Sequence, residues 1–163
     1  MMLINKYEVV MLKKKMRAFS LIELLVTMAI VGILSAIAYT SYSTSVVKTK
    51  RTEAKTALLK IMQQEEQFFT QNTSYSVFSK ASTNPNEMNF RWYSSDAAIS
   101  SSYELNATAC AGDVIQNCVL LTAIPGTSNV NPNFKDSECG NFTITSTGVR
   151  GFTGATGTQR TCW

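Results

Sequence analysis

An apolar stretch over residues 19–39 constrains this chain more than any other feature of its sequence. The stretch holds one charged residue, Glu23. It follows a cluster of basic residues, Lys13, Lys14, Lys15 and Arg17. A helix of about 20 apolar residues can cross the roughly 30 Å hydrocarbon core of a bilayer, and a basic flank favours the cytoplasmic side. The pattern predicts a single-pass membrane helix with its N-terminus inside and most of the chain beyond the membrane.

The carboxylate of Glu23 is unusual in such a helix. An acidic side chain inside a spanning helix costs about 2.5–3.5 kcal/mol on insertion scales and is normally kept for a function. A cut between Ala18 and Phe19 would create an α-ammonium group four residues from Glu23. The two charges could then neutralise each other between neighbouring copies, which predicts a staggered stack of identical helices.

The residues around this cut, Ala18-Phe19-Ser20-Leu21-Ile22-Glu23, resemble the prepilin cleavage site of the type IV pilin family. The resemblance implies cleavage between Ala18 and Phe19, N-methylation of Phe19 by a prepilin peptidase, and filament assembly with Glu23 as the assembly glutamate. The chain departs from the family at Ala18, where Gly is usual, and at Thr40, where many members have proline.

The same resemblance implies partners and a location. The expected partners are other pilin subunits, the prepilin peptidase and the inner-membrane pilus assembly machinery. The protein is expected to lie in the inner membrane as a single-pass protein with a periplasmic C-terminus before assembly, and in an extracellular pilus afterwards. No cofactor is expected.

Two simpler interpretations of the N-terminus stay open. Ala36-Ile37-Ala38 has the small-x-small form of a signal-peptidase site, and cleavage there would give a soluble chain that begins at Tyr39. A plain membrane anchor without assembly is the other. The carboxylate within the apolar segment and the unbroken helical pattern favour the pilin interpretation over both. Met1 and Met11 are alternative starts.

Beyond the membrane segment the apolar residues recur at helical spacing up to about residue 70. They are Ala54, Ala57, Leu58, Ile61, Met62, Phe68 and Phe69. Most of the charged residues, a set that includes Glu65 and Glu66, are expected on the other faces, and the cluster from Lys48 to Arg51 is expected to be solvated. The predicted organisation is a leader at 1–18, a transmembrane helix at 19–39, an amphipathic half at 40–70 and a globular domain at 71–163.

The globular domain is predicted to hold a small antiparallel sheet. Strand-like segments at 103–108, 118–124 and 141–147 are separated by Gly, Pro and Asn, and residues 72–102 are expected to be an irregular connection. The fold class is therefore α+β, with a long N-terminal helix packed on the sheet. The segment 136–144, with the terminal Cys162-Trp163, resembles PilE-like minor pilins.

Four cysteines allow three disulfide pairings, and the sequence alone does not choose among them. We favour Cys110 with Cys118 and Cys139 with Cys162, because each closes a local loop and the second matches the disulfide-bounded region of the family. The cysteine spacing lacks the close pair typical of a zinc site, so no metal is expected. The chain has no histidine to activate a nucleophile, which predicts a protein that is not an enzyme.

Three functions remain after these exclusions. The favoured one is a minor pilin that supports pilus biogenesis, adhesion, twitching motility or DNA uptake. The alternatives are a DNA receptor carried on the filament and a type II secretion pseudopilin. Residues 61–163 hold five Lys/Arg and eight Asp/Glu, a balance that does not favour DNA binding. Arg150 and Arg160, which flank a Gly-rich surface loop at 151–157, are the possible DNA contacts.

Overall fold

The computed structural model describes residues 19–163, and Ala18 with the rest of the predicted leader lies outside the described residues. The chain divides into two compact units, Met1–Tyr42 and Ser43–Trp163. We describe each unit by itself.

One helix, α1, extends over Leu21–Asn72. The carbonyl of Ser20 accepts the N–H groups of Glu23 and Leu24 at 3.1 and 3.2 Å, which closes the first turn. No proline interrupts the helix. It ends where Thr73 adopts a left-handed conformation with φ of 55°, a common way to end a helix. The predicted long helix is confirmed, and it extends two residues past the expected end.

In the first unit, residues 19–37 of the chain are mostly apolar, with Glu23, Thr27 and Ser35 among the few polar residues. Every large hydrophobic side chain from Phe19 to Ile37 is exposed. A helix that is hydrophobic all round requires either a protein or a lipid environment. The N-terminal part of α1 is long and apolar enough to cross a membrane.

The second unit contains an antiparallel four-stranded sheet in the order β1-β2-β3-β4. The strands are β1 (Tyr103–Ala109), β2 (Val119–Pro125), β3 (Phe142–Thr145) and β4 (Arg150–Phe152). Two short helices flank the strands in the chain: α2 (Pro85–Met88) precedes β1, and α3 (Gln159–Cys162) follows β4. The three predicted strand segments correspond to β1, β2 and β3. The sequence analysis missed β4, which has Gly at its centre and so little strand propensity.

The core of the second unit lies between α1 and one face of the sheet. Alternate residues of β1 and β2, such as Leu105 and Leu121, are fully buried, as the two-residue period of a strand requires. On α1 the buried positions follow the helical spacing that the sequence showed: Ala54, Ala57, Leu58 and Ile61. The predicted packing of the amphipathic helix against a sheet is confirmed.

Two disulfides fasten the ends of the sheet segments. Cys110 pairs with Cys118 across the β1–β2 connection, and Cys139 pairs with Cys162 across a separation of 23 residues. These are the pairs that the sequence analysis favoured. Closing loops of this size typically stabilises a domain by about 2–4 kcal/mol.

Candidate functional site

The N-terminal unit presents the residues of the predicted processing site at the start of α1. Phe19 is 79% exposed and precedes the helix. Glu23 lies in the first turn, where a carboxylate interacts favourably with the positive end of the helix dipole. Ala18, the residue before the predicted cut, lies outside the described residues, so cleavage of the Ala18–Phe19 bond remains a prediction.

In the second unit, the basic cluster at Lys48–Arg51 does not form a uniformly solvated face. Arg51 is only 6% exposed and makes a bidentate ion pair with Asp136, with Nε–Oδ2 and Nη2–Oδ1 distances of 2.7 and 2.6 Å. Its Nη1 donates to Oε2 of Glu138 at 2.9 Å. The prediction of a solvated face is therefore wrong for Arg51, because a partner 85 residues away in sequence was invisible to local spacing.

Asp136 is the centre of this network. Its Oδ2 also accepts the hydroxyl of Tyr103 at 2.7 Å, and its Oδ1 accepts the N–H of Cys139 at 3.0 Å. Burial raises the pKa of Asp136, but the hydrogen bonds from Arg51, Cys139 and Tyr103 outweigh it and hold the pKa below its usual value. The network connects α1, β1 and the segment that leads to the second disulfide.

A basic cleft of about 590 Å³ opens beside this network. Its lining residues come from α1, from the segment before β3 and from α3: Thr44, Lys48, Arg51, Thr52, Lys55, Glu138, Arg160 and Thr161. Within residues 19–163, Lys48, Lys55 and Arg160 form no ion pair. Burial chiefly, and the nearby Arg51 charge in addition, lower the pKa of Lys55.

The short helix α3 places Arg160 at this cleft. Thr158 and Thr161 form a reciprocal capping box at its N-terminus. Cys162 is joined to Cys139, and the Trp163 indole N–H donates to the carbonyl of Gly151 at 2.7 Å. The C-terminal residues are therefore held on the domain by a cap, a disulfide and a hydrogen bond.

The structure separates the two arginines that the sequence analysis grouped as possible DNA contacts. Arg160 lines the basic cleft, whereas Arg150 lies over the Trp163 ring at 5.4 Å and is not among the residues of the cleft. The Gly-rich segment between them begins as β4. Gly154 packs so tightly that an added Cβ would lie 1.9 Å from the Glu138 carbonyl oxygen. The segment that was expected to be a surface loop is thus partly a strand and is tightly packed at Gly154.

Cations also lie on aromatic rings in the connection between α1 and β1. Lys80 lies over Trp92 and Arg91 over Tyr93, each at 5.5 Å from the ring centroid. The connection is irregular, as predicted, apart from α2 and a 3₁₀ turn at Ala98–Ser100. Its backbone hydrogen bonds to β1: the Trp92 carbonyl accepts the Leu105 N–H at 2.7 Å.

Glu65 was expected on a polar face of α1, and this expectation is wrong. Its side chain is fully buried. One carboxylate oxygen accepts the Ser76 N–H at 2.9 Å, and the other has no hydrogen-bond partner within residues 19–163. Burial raises the pKa of Glu65 to about 7. The spacing of three and four residues that places Leu58, Ile61 and Phe68 on one face of α1 also includes Glu65 and leaves out Glu66, so this signal was present in the sequence.

Comparisons with known proteins agree with these features. Residues 13–39 match the prokaryotic N-terminal methylation motif. Residues 40–143, well over half of the chain, match the family described as "Type IV minor pilin ComP, DNA uptake sequence receptor". An N-terminal methylation motif and a domain of this kind define a type IV pilin. The chain belongs to the ComP family of type IV minor pilins.

One curated relative and two solved structures resemble parts of this chain. The type IV major pilin protein PilA of Myxococcus xanthus (strain DK1622) is 40% identical over 62 residues, which span 38% of this chain and 28% of the relative. The chain thus matches little more than a quarter of that protein's length. A type IV pilin from Shewanella oneidensis is 21% identical with a TM-score of 0.39, covering 63% of this chain and 88% of that one. The non-core minor pilin PilV of Neisseria meningitidis is 16% identical with a TM-score of 0.42, covering 66% and 87%.

Proposed function

We propose that this protein is a minor pilin that binds DNA during DNA uptake. The observation that carries the proposal is the match of residues 40–143 to a family described as a DNA uptake sequence receptor. The cations of the second unit support it, because electrostatic attraction to phosphate supplies most of the sequence-independent affinity for DNA.

The charge balance of residues 61–163 alone argued against DNA binding. That segment leaves out residues 43–60 of α1, which hold five basic residues and one acidic residue. In the folded domain the helix cations Lys48 and Lys55 lie at the same cleft as Arg160 from the C-terminal end. A local concentration of positive charge therefore forms although the domain as a whole is close to neutral.

Processing and anchoring belong to the same proposal. The prepilin peptidase would cut between Ala18 and Phe19 and methylate Phe19, and the apolar helix would hold the subunit in the inner membrane with its C-terminus in the periplasm. Glu23 would then position the subunit in the filament by pairing with the new N-terminus of a neighbour. The methylation motif at residues 13–39 supports these steps.

The first test measures DNA binding by the processed, full-length protein purified in detergent from its own host. Its affinity for a fluorescent host-DNA duplex is followed by anisotropy over a range of salt concentrations. We expect the logarithm of Kd to rise linearly with the logarithm of salt concentration, as counterion release requires. Binding no stronger than that of an unrelated single-pass protein, at physiological salt, would refute the receptor function.

The second test measures the N-terminus. Mass spectrometry of the same preparation should find a chain that begins with N-methylated Phe19, and a host without the prepilin peptidase should retain the leader. A chain that begins at Tyr39 would show cleavage by signal peptidase and would overturn the processing and assembly steps.

A further inference from the structure

The basic cleft between α1 and α3 has the composition of a polyanion site. Three of its cations, Lys48, Lys55 and Arg160, lack an ion-pair partner within residues 19–163. The carboxylates beside it, Glu138 and Asp136, already accept hydrogen bonds from Arg51. Counting Arg51, four cations face two carboxylates, which leaves an excess of two positive charges.

We propose that this cleft binds consecutive phosphates of one DNA strand, an inference that rests on the proposed receptor function. Within the cleft, the side-chain hydroxyl of Thr52 is already used, since it donates to the Lys48 carbonyl at 3.0 Å. The ammonium groups of Lys48 and Lys55 and the guanidinium group of Arg160 also line the cleft, and such groups bind phosphate through charge-assisted hydrogen bonds.

The spacing of the cations fits a linear polyanion. Lys48 and Lys55 are seven residues apart on α1, about 10 Å along the helix axis. Each strand of DNA advances by about 3.4 Å per phosphate along the duplex axis, so a separation of about 10 Å corresponds to roughly three phosphate steps measured along that axis. A second cavity of about 230 Å³ shares Lys48 with the cleft and adds Lys135. The cations are therefore distributed along the surface instead of being gathered at one position.

The walls of the cleft are held by strong interactions, which limits the ordering cost of binding. On one side, the bidentate Arg51–Asp136 pair joins α1 to the segment before β3. On the other, the Cys139–Cys162 disulfide fixes α3. The surface is thus organised before a ligand arrives.

The experiment compares two triple variants of the processed full-length protein that remove equal charge. The cleft variant carries Lys48→Gln, Lys55→Gln and Arg160→Gln. The matched control carries Lys60→Gln, Lys80→Gln and Arg91→Gln, whose residues do not line the cleft. Circular dichroism and thermal unfolding establish that both variants fold like the wild type, and anisotropy with the host-DNA duplex gives Kd against salt.

We expect the cleft variant to raise Kd at least tenfold at low salt and to reduce the slope of log Kd against log salt by about 3, since each lost phosphate contact removes about 1. The control variant should change the slope by less than about 1. An equal loss in both variants would overturn the cleft assignment while leaving the receptor function intact. Absence of DNA binding by the wild type would refute the receptor function and the cleft together.

A further outcome would also overturn the proposal. If the cleft variant binds DNA like the wild type but is recovered less in sheared filaments, the cleft is a contact for an acidic surface of a neighbouring pilin subunit. Normal recovery in filaments together with weakened DNA binding supports the phosphate site.

Discussion

Glu65 shows how one buried acid makes stability depend on pH. Its pKa is raised from 4.5 to about 7, first by burial, while the Ser76 N–H opposes the shift and the Glu66 charge adds to it. The phenol of Tyr75, on the adjoining segment, donates to Glu66. Between these two pKa values the folded chain binds more protons than the unfolded chain, so stability is greatest at low pH and falls as pH rises.

We predict that the wild type loses on the order of 2 kcal/mol of unfolding free energy between pH 5 and pH 8 through Glu65. Glu65→Gln should remove most of this dependence and be the more stable protein at pH 8, because the amide oxygen can still accept the Ser76 N–H. Thermal unfolding of the full-length wild type and variant at each pH measures this dependence. Glu66→Gln is the matched control and should keep the wild-type dependence; a flat wild-type profile would contradict the prediction.

Arg51 holds the second unit together by neutralising buried charge. Replacement by Met would leave the Asp136 carboxylate buried without its ion-pair partner, and we predict a loss of about 3–5 kcal/mol in unfolding free energy. Lys50→Met removes the partly exposed pair with Glu53 and should cost less than about 1 kcal/mol. Denaturant titration compares the two variants, and similar losses would show that the Arg51 network adds no special stability.

At the level of secondary-structure elements, both outer edges of the sheet are covered. Carbonyls of Phe78 and Trp92 accept N–H groups of β1, and the Trp163 indole donates to β4. Exposed strand edges promote unwanted pairing between chains. The irregular connection and the C-terminal residues therefore act as edge covers, a role that their composition did not predict.

The C-terminal segment depends on glycine for its packing. A Cβ on Gly154 would lie 1.9 Å from the Glu138 carbonyl oxygen and 2.6 Å from the Cys139 carbonyl carbon. We predict that Gly154→Ala costs more than about 2 kcal/mol, because backbone atoms must move. Gly148→Ala has open space but a φ of 85°, and should cost only about 1 kcal/mol. Chemical unfolding distinguishes them, and an equal cost would show that crowding at Gly154 is relieved by small shifts.

At the scale of the whole molecule, Glu23 tests whether the N-terminal helix drives assembly. Glu23→Val should leave the chain cleaved and membrane-inserted, because the substitution makes insertion easier. We predict reduced recovery in sheared filaments, since a neighbouring N-terminus would lack its counter-charge. Thr27→Val on the same helix is the control. Unchanged recovery of Glu23→Val would exclude an assembly role for this carboxylate.

The sequence by itself determined the elements with a strong local signal. The apolar segment, the recurrence of Ala54, Ala57, Leu58 and Ile61, and three of the four strands were readable because hydrophobic periodicity reports which face is buried. Cysteine spacing together with family resemblance indicated the disulfide pairs. Strand β4 escaped because it is three residues long with Gly at its centre.

Only the tertiary structure decided which charged residues act together. Arg51 and Glu65 share the buried face of α1, but the groups that pair with them there, Asp136 and the Ser76 N–H, lie 85 and 11 residues away in sequence. The same holds for the cleft, since Lys55 and Arg160 come from opposite ends of the second unit. Helical spacing assigns a side chain to a face, but the electrostatic environment of that face is set by whichever distant segment packs against it.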